Sequence, residues 1–145
     1  MELTLKQALQ KGIEAHKARN VQEADRYYTA ILKANPKHGD ANHNMGVLAV
    51  GIGKVQEALP FFKNAIEVNP NTAQFWLSYI DALIEVDRIT DAKDVFAQAK
   101  MKGATGEDFD KLETRINSSY SQNLRAQDPT EEELKDLITL YTQGK

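Results

Sequence analysis

The sequence contains no cysteine, and it has only four prolines and one tryptophan among 145 residues. Without thiols the chain forms no disulfides and no thiolate metal sites, which excludes disulfide-framework and cysteine-ligated zinc classes. The chain also lacks a strong charge of one sign, because 18 basic and 21 acidic side chains leave a net charge of −3. Proteins that bind nucleic acid concentrate Lys and Arg on one surface. We therefore expect no nucleic-acid partner.

Long apolar runs are missing as well. No segment approaches the ~20 apolar residues that a membrane-spanning helix requires. The N-terminal stretch MELTLKQALQKG mixes charged and apolar residues and has no apolar core of the kind found in signal peptides. We expect no membrane contact and a cytoplasmic location. The length and the 41% hydrophobic content suit one globular domain with its own core.

Motifs for catalysis and metal binding are also lacking. The three histidines, His16, His38 and His43, show no ligand spacing with nearby carboxylates. The glycine-rich stretch MGVLAVGIGKVQEA is no phosphate-binding loop, because Lys54 is followed by valine and preceded by a helical pattern. No nucleophile elbow, dinucleotide fingerprint or calcium loop is present. We expect no enzyme activity, no metal and no cofactor.

What the sequence does contain is an internal repeat of 34 residues. Small residues, aromatic residues and prolines recur at that spacing, and so many matches at one period indicate repeated supersecondary units. The matching positions are Ala24, Ala58 and Ala92; Tyr28, Phe62 and Phe96; Gly12 and Gly46; and Pro36 and Pro70.

Each repeat is predicted to form two helices. In the second repeat, apolar residues recur at three- and four-residue steps over residues 45–52, ending at Ile52, and again over residues 55–66. Gly53 separates the two patterns and is predicted to form the turn between the helices. Pro70 ends the second pattern, because proline lacks a backbone N–H and restricts the residue before it.

Small residues in these helices predict close contact between helix axes. Gly12 and Gly46 occupy equivalent positions, and Tyr28 and Phe62 are predicted to fill the space beside them. The third repeat has Ile80 in place of the glycine. This substitution predicts a different spacing of the third helix pair.

These residues resemble the tetratricopeptide repeat family, whose period is 34 residues and whose pattern is W-x2-L-G-x2-Y…A-x3-F…P. The resemblance covers residues 5–104. It implies an all-α fold, a right-handed superhelix or α–α solenoid of three helix pairs followed by C-terminal capping helices. The repeat region is assigned to residues 1–104, with units over about 5–38, 39–72 and 73–104.

The remaining residues keep a helical pattern without the repeat. Residues 105–126 are predicted to form a capping helix, since terminal units of a repeat stack need one polar face. Its apolar stripe consists of Phe109, Leu112, Ile116 and Tyr120. Residues 127–145 predict an amphipathic helix that resembles the start of a further repeat. Its apolar stripe consists of Leu134, Leu137, Ile138 and Tyr141.

This last pattern leads to two alternatives. The stripe can be buried by self-association of two chains. Alternatively, the chain is the N-terminal part of a longer, bacterial-type protein, and more repeats follow Lys145. The repeats resemble those that precede the catalytic domain in enzymes of the O-GlcNAc transferase type, which implies a role as the targeting arm of a larger enzyme such as a glycosyltransferase.

The resemblance implies that the first helix of each pair lines a concave groove for a peptide or a partner segment. Gln10, Asn44 and Ser78 recur at 34-residue steps and predict a polar row that binds peptide backbone; the alternative is that they are only solvated. Asn44 matches the groove asparagine of O-GlcNAc-transferase-type repeats. The groove candidates are Lys6, Gln10 and Lys17; Asp40, Asn44, Val47 and Gly51; and Gln74, Ser78, Asp81 and Glu85.

Family members that bind chaperone tails hold a terminal carboxylate with a cluster of Lys, Arg and Asn. Among the matching positions only Asn44 fits that pattern. The others are occupied by Leu9, Ile13, Gln74 and Ser78. Because the cations that would form charge-assisted bonds are missing, we expect acidic C-terminal peptides to bind weakly.

Overall fold

Within residues 3–126, seven α-helices account for most positions. The computed structural model describes residues 3–126, together with Glu132, Lys135, Asp136, Ile138 and Thr139. No strand occurs in this described part. The predicted all-α solenoid of three helix pairs followed by a further helix is confirmed. The helices are α1 Leu5–Lys17, α2 Val21–Ala34, α3 Gly39–Gly51, α4 Val55–Val68, α5 Ala73–Glu85, α6 Ile89–Met101 and α7 Glu107–Ala126.

Local side-chain bonds explain where several helices begin. At the start of α1, the Thr4 hydroxyl accepts from the Gln7 backbone N–H at 3.1 Å, and the Thr4 N–H donates to the Gln7 side chain at 2.9 Å. This reciprocal capping box satisfies two backbone donors that the first helical turn leaves unpaired. His38 Nδ1 accepts from the Ala41 N–H at 3.1 Å and caps α3 in the same way.

The turns inside the helix pairs share one backbone conformation. Gly53, predicted to form the turn between α3 and α4, has φ of +81°. Arg19 and Asp87 lie 34 residues before and after it and have φ of +62° and +60°. Only glycine adopts this left-handed region without a steric cost, so the first and third turns carry strain that the second does not.

Glycine allows the first two helix pairs to pack closely, as predicted. A Cβ atom added at Gly46 would lie 2.4 Å from Cε1 of Phe62, and one added at Gly12 would lie 2.6 Å from Cε1 of Tyr28. Ile80 takes this position in the third pair and is fully buried. The backbones of α5 and α6 run less closely together than those of α3 and α4.

Successive pairs stack through α2 on α3, α4 on α5 and α6 on α7. The three repeat alanines, Ala24, Ala58 and Ala92, are fully buried at these helix contacts. Trp76 packs in the core of the third pair, as predicted, and its indole N–H donates to the Pro70 carbonyl at 2.7 Å. On α7, Phe109 is among the residues that complete this core. None of the described helices is long and apolar enough to cross a bilayer.

Among the described residues, three members of the predicted apolar stripes are exposed: Ile52, Tyr120 and Ile138. Ile52 is 47% exposed, because α3 ends at Gly51 and Ile52 already belongs to the turn. Tyr120 is 37% exposed near the C-terminal end of α7. Its ring instead lies beneath the Lys93 ammonium, whose Nζ is 4.4 Å from the ring centroid.

Candidate functional site: the face of the first helices

The first helices of the three pairs and α7 lie side by side. Helix α3 contacts both α1 and α5, and α5 also contacts α7. We call the exposed surface of α1, α3, α5 and α7 the groove face. Each predicted groove residue lies on α1, α3 or α5 and keeps part of its surface exposed. Their participation in binding stays a prediction.

The polar row along this face has partners within the protein at all three positions, including a hydrogen bond between Asn44 and His43. The Gln10 side chain donates to Glu14 at 3.3 Å. The Ser78 hydroxyl accepts from the Gln74 amide at 3.2 Å and lies 2.8 Å from Nε2 of His43. These bonds hold the row in place at its α1 and α5 ends and link α5 to α3.

His43 lies beneath the centre of the groove face. Its ring stacks on Phe75 with centroids 4.7 Å apart and lies 5.7 Å from the Phe62 ring. Burial lowers the pKa of His43 from its ordinary value, although the hydrogen bond with Asn44 and the charge of Asp40 partly oppose this effect. The imidazole is therefore neutral at pH 7.

A first recess opens between α1 and α3. It has a volume of about 310 Å³ and is lined by Ile13, His16, Lys17, Tyr28 and Asn44. We call it the proximal recess. His16 Nδ1 lies 3.2 Å from the Tyr28 hydroxyl, so these two polar groups are partners in its floor. Burial raises the pKa of the Tyr28 phenol, which stays protonated.

A second recess, which we call the distal recess, opens between α5 and α7. Its volume is about 380 Å³. The Arg115 guanidinium pairs with the Asp81 carboxylate across it and joins the two helices. It is lined by Gln74, Leu77, Ser78, Asp81, Asp108, Lys111, Leu112 and Arg115.

The contribution of α7 to this face was missed by the sequence analysis, which treated α7 only as a cap. Arg115 lies 34 residues after Asp81. The repeat spacing therefore contained the signal, but the groove was not extended past the third repeat. The sequence likewise did not predict that a recess joins Asn44 to Ile13, His16 and Tyr28. It identified Ile13 only at a position where chaperone-tail-binding family members have a clamp residue.

Charged side chains on the groove face lie at its two recesses, Lys17 at the proximal recess and Asp81 and Arg115 at the distal recess. Neutral side chains on this face include Gln10 and Ile13 on α1, Asn44 and Val47 on α3, and Ser78 on α5. Four charged candidates form no ion pair with any residue that the structure describes. They are Lys6, Lys17, Asp40 and Glu85.

Other parts of the described chain offer no competing chemistry. A larger cavity of about 820 Å³ lies at the N-terminal edge, between Leu3, Leu5 and Ala8 on one side and α2 on the other. It borders none of the groove candidates. Within the described residues, no cluster of histidine and carboxylate side chains could hold a metal ion.

The sequence and the structure both resemble known repeat proteins. A family model described as tetratricopeptide repeat matches residues 49–116, from the end of α3 into α7. A comparison with curated protein sequences finds no match. Among solved structures, the TPR2B domain of yeast Sti1, in a pHsp70 complex, is 21% identical with a TM-score of 0.71. That match covers 79% of this chain and 96% of the Sti1 domain.

Two further structures have the same arrangement of helices. The first TPR of Spaghetti (RPAP3), bound to the HSP90 peptide SRMEEVD, has a TM-score of 0.73 at 15% identity, over 81% of this chain and 93% of that one. A MamA structure from AMB-1 has a TM-score of 0.71 at 24% identity, over 85% of this chain and 66% of that one. The chain has the tetratricopeptide repeat fold. In this fold the helix pairs curve into a superhelix. The groove face is its concave side, because the first helices contact one another whereas α2, α4 and α6 do not.

Proposed function

We propose that the protein is a non-catalytic interaction scaffold that binds a peptide, or an extended segment of a partner protein, along the groove face. The observation that carries this proposal is the row of Gln10, Asn44 and Ser78, which lies on three adjacent helices and keeps exposed surface. Side-chain amides and hydroxyls can both donate to and accept from a peptide backbone.

Two structural neighbours support a peptide as the ligand. The yeast Sti1 domain was solved in a pHsp70 complex, and the RPAP3 domain with an HSP90 peptide. Both share this fold with the chain at low sequence identity, so they support the class of ligand. The chaperone tails themselves are not proposed, because the clamp positions here include Leu9 and Ile13.

The experiment combines Gln10→Ala with Asn44→Ala and measures binding of peptides selected on the wild-type protein from a displayed library of random 12-residue sequences. Losing two neutral hydrogen bonds of about 0.5–1.5 kcal/mol each should weaken binding by about 5- to 150-fold. The melting temperature should change little, because both side chains are at the surface.

The matched control removes two amides from second helices, Gln22 and Gln56, which are exposed on α2 and α4. The Gln22→Ala, Gln56→Ala variant should bind the same peptides with wild-type affinity. If the library yields no peptide, or if the groove variant binds as tightly as the control, the groove face is not the binding surface.

Self-association is an alternative that the C-terminal stripe suggests. Ile138 is 62% exposed, and Leu134, Leu137 and Tyr141 lie outside the described residues. Sedimentation velocity across a hundredfold concentration range decides this alternative, since a chain that remains monomeric does not use the stripe to pair.

The finer predictions concern the setting of the scaffold. Two of these predictions rest on the sequence alone. The first is that the protein is cytoplasmic, and the second is that it forms the targeting arm of a larger enzyme with O-GlcNAc-transferase-like repeats. The reading frame beyond Lys145 tests the second prediction, because a stop codon directly after it would contradict continuation into further repeats.

A further inference from the structure

We infer that the groove selects an uncharged extended segment with an apolar side chain, which enters the proximal recess while Asn44 binds the neighbouring backbone. The inference rests on the proposed function and specifies the chemistry of its ligand. It separates the preferred ligand from the acidic peptide SRMEEVD bound by the RPAP3 domain.

The hydrogen-bonding groups in the recess favour an apolar occupant. The fully buried Tyr28 places its hydroxyl 3.2 Å from His16 Nδ1, so each of these two groups already has a hydrogen-bond partner inside the protein. Ile13 adds an aliphatic wall. A polar side chain that enters here gives up its water contacts and finds only Asn44 and Lys17 as further polar partners in the lining, whereas an apolar side chain gains by leaving water.

The distribution of charge excludes a strongly charged ligand from the middle of the groove. The groove-face side chains beside the recess, Gln10, Asn44 and Val47, are all neutral. The one ammonium at the recess, that of Lys17, is exposed at its rim. A carboxylate bound in the middle would be desolvated without a buried cation to compensate it.

A segment that reaches from the proximal recess to the distal recess needs a minimum length. The Arg115–Asp81 pair of the distal recess is internally neutralised, so it offers no net charge to a ligand. The two recesses lie between α1 and α3 and between α5 and α7, which is two helix spacings apart. At 8–10 Å for each spacing this is roughly 16–20 Å, and an extended chain at ~3.3 Å per residue needs about five or six residues to span it.

The experiment uses the 12-residue peptides selected on the full chain and compares their affinities by fluorescence anisotropy. Replacing the Ile13 wall in Ile13→Ser should weaken binding at least about tenfold, as should replacing the shared apolar residue of a selected peptide by glutamate. The peptide SRMEEVD should not compete. Ile52→Ser is the matched control, because Ile52 is exposed and lines neither recess.

The possible outcomes separate this inference from the proposed function. Selected peptides that share an apolar position and lose affinity for Ile13→Ser, but not for Ile52→Ser, support the inference. Peptides that share an acidic motif, or that tolerate glutamate at the apolar position, overturn it even if they still depend on Asn44. Binding that is independent of both Ile13 and Asn44 overturns the proposed function as well. If Ile13→Ser unfolds, the replacement of the shared apolar peptide residue by glutamate still tests the inference on the wild-type protein. Ile13→Ala is a milder second variant of the same wall.

Discussion

The close packing of α3 on α4 gives a sharp prediction for Gly46→Ala. The added methyl carbon would lie 2.4 Å from Cε1 and 2.7 Å from Cδ1 of Phe62. The shorter distance is about 1 Å inside ordinary carbon–carbon contact. Phe62 is 1% exposed, so its ring cannot turn into solvent to make room. Overpacking of this kind costs about 1–3 kcal/mol, and the better helix propensity of alanine returns up to about 1 kcal/mol.

Gly51→Ala provides the matched control on the same helix. A Cβ added at Gly51 meets nothing within 4 Å, so this variant gains helix propensity without a clash. In urea unfolding followed by circular dichroism, Gly46→Ala should be less stable than Gly51→Ala by about 1–3 kcal/mol. Combining Gly46→Ala with Phe62→Leu should remove most of the penalty, because the two sites are coupled. Equal stability of the two alanine variants would refute the close packing of α3 on α4.

Three further predictions concern single groups. Because burial holds the folded-state pKa of His43 below its unfolded value, the free energy of unfolding should fall as the pH drops below about 6.5. Urea titrations from pH 7 to 5.5 should show a smaller fall for His43→Gln than for the wild type. An equal pH dependence in the two proteins would contradict a lowered pKa for His43. Arg19→Gly should raise the melting temperature by relieving a left-handed backbone, whereas the same change at a helical position lowers it. Asp81 and Arg115 are partly exposed, so a double-mutant cycle on stability should give a coupling free energy of at most about 1 kcal/mol, which should weaken in 1 M salt. A larger coupling free energy that does not change with salt would contradict a solvent-screened ion pair.

The repeat and its helix pairing followed from the sequence because they depend on local periodicity. The 34-residue spacing of Ala24, Ala58 and Ala92 placed all three at buried helix contacts. The glycine at position 46 indicated close packing, and Ile80 indicated a different spacing of the third pair. Each of these inferences needs only the helical period and the size of a side chain.

Other features depend on tertiary geometry that no local pattern contains. The capping role of His38 and the left-handed backbone at Arg19 are determined by the turns in which they lie. The proximal recess combines Ile13, Tyr28 and Asn44 from three different helices, and its shape depends on how α3 packs against α1. Sequence periodicity identifies faces of helices, but it does not determine the space left between two faces.

The most direct test of the central claim, that the concave face is the binding surface, is amide chemical-shift mapping. ¹⁵N-labelled protein is titrated with a peptide selected from the library. The account predicts that the largest shift changes fall on α1, α3 and α5, with α2, α4 and α6 little affected. Changes concentrated on the second helices would contradict it.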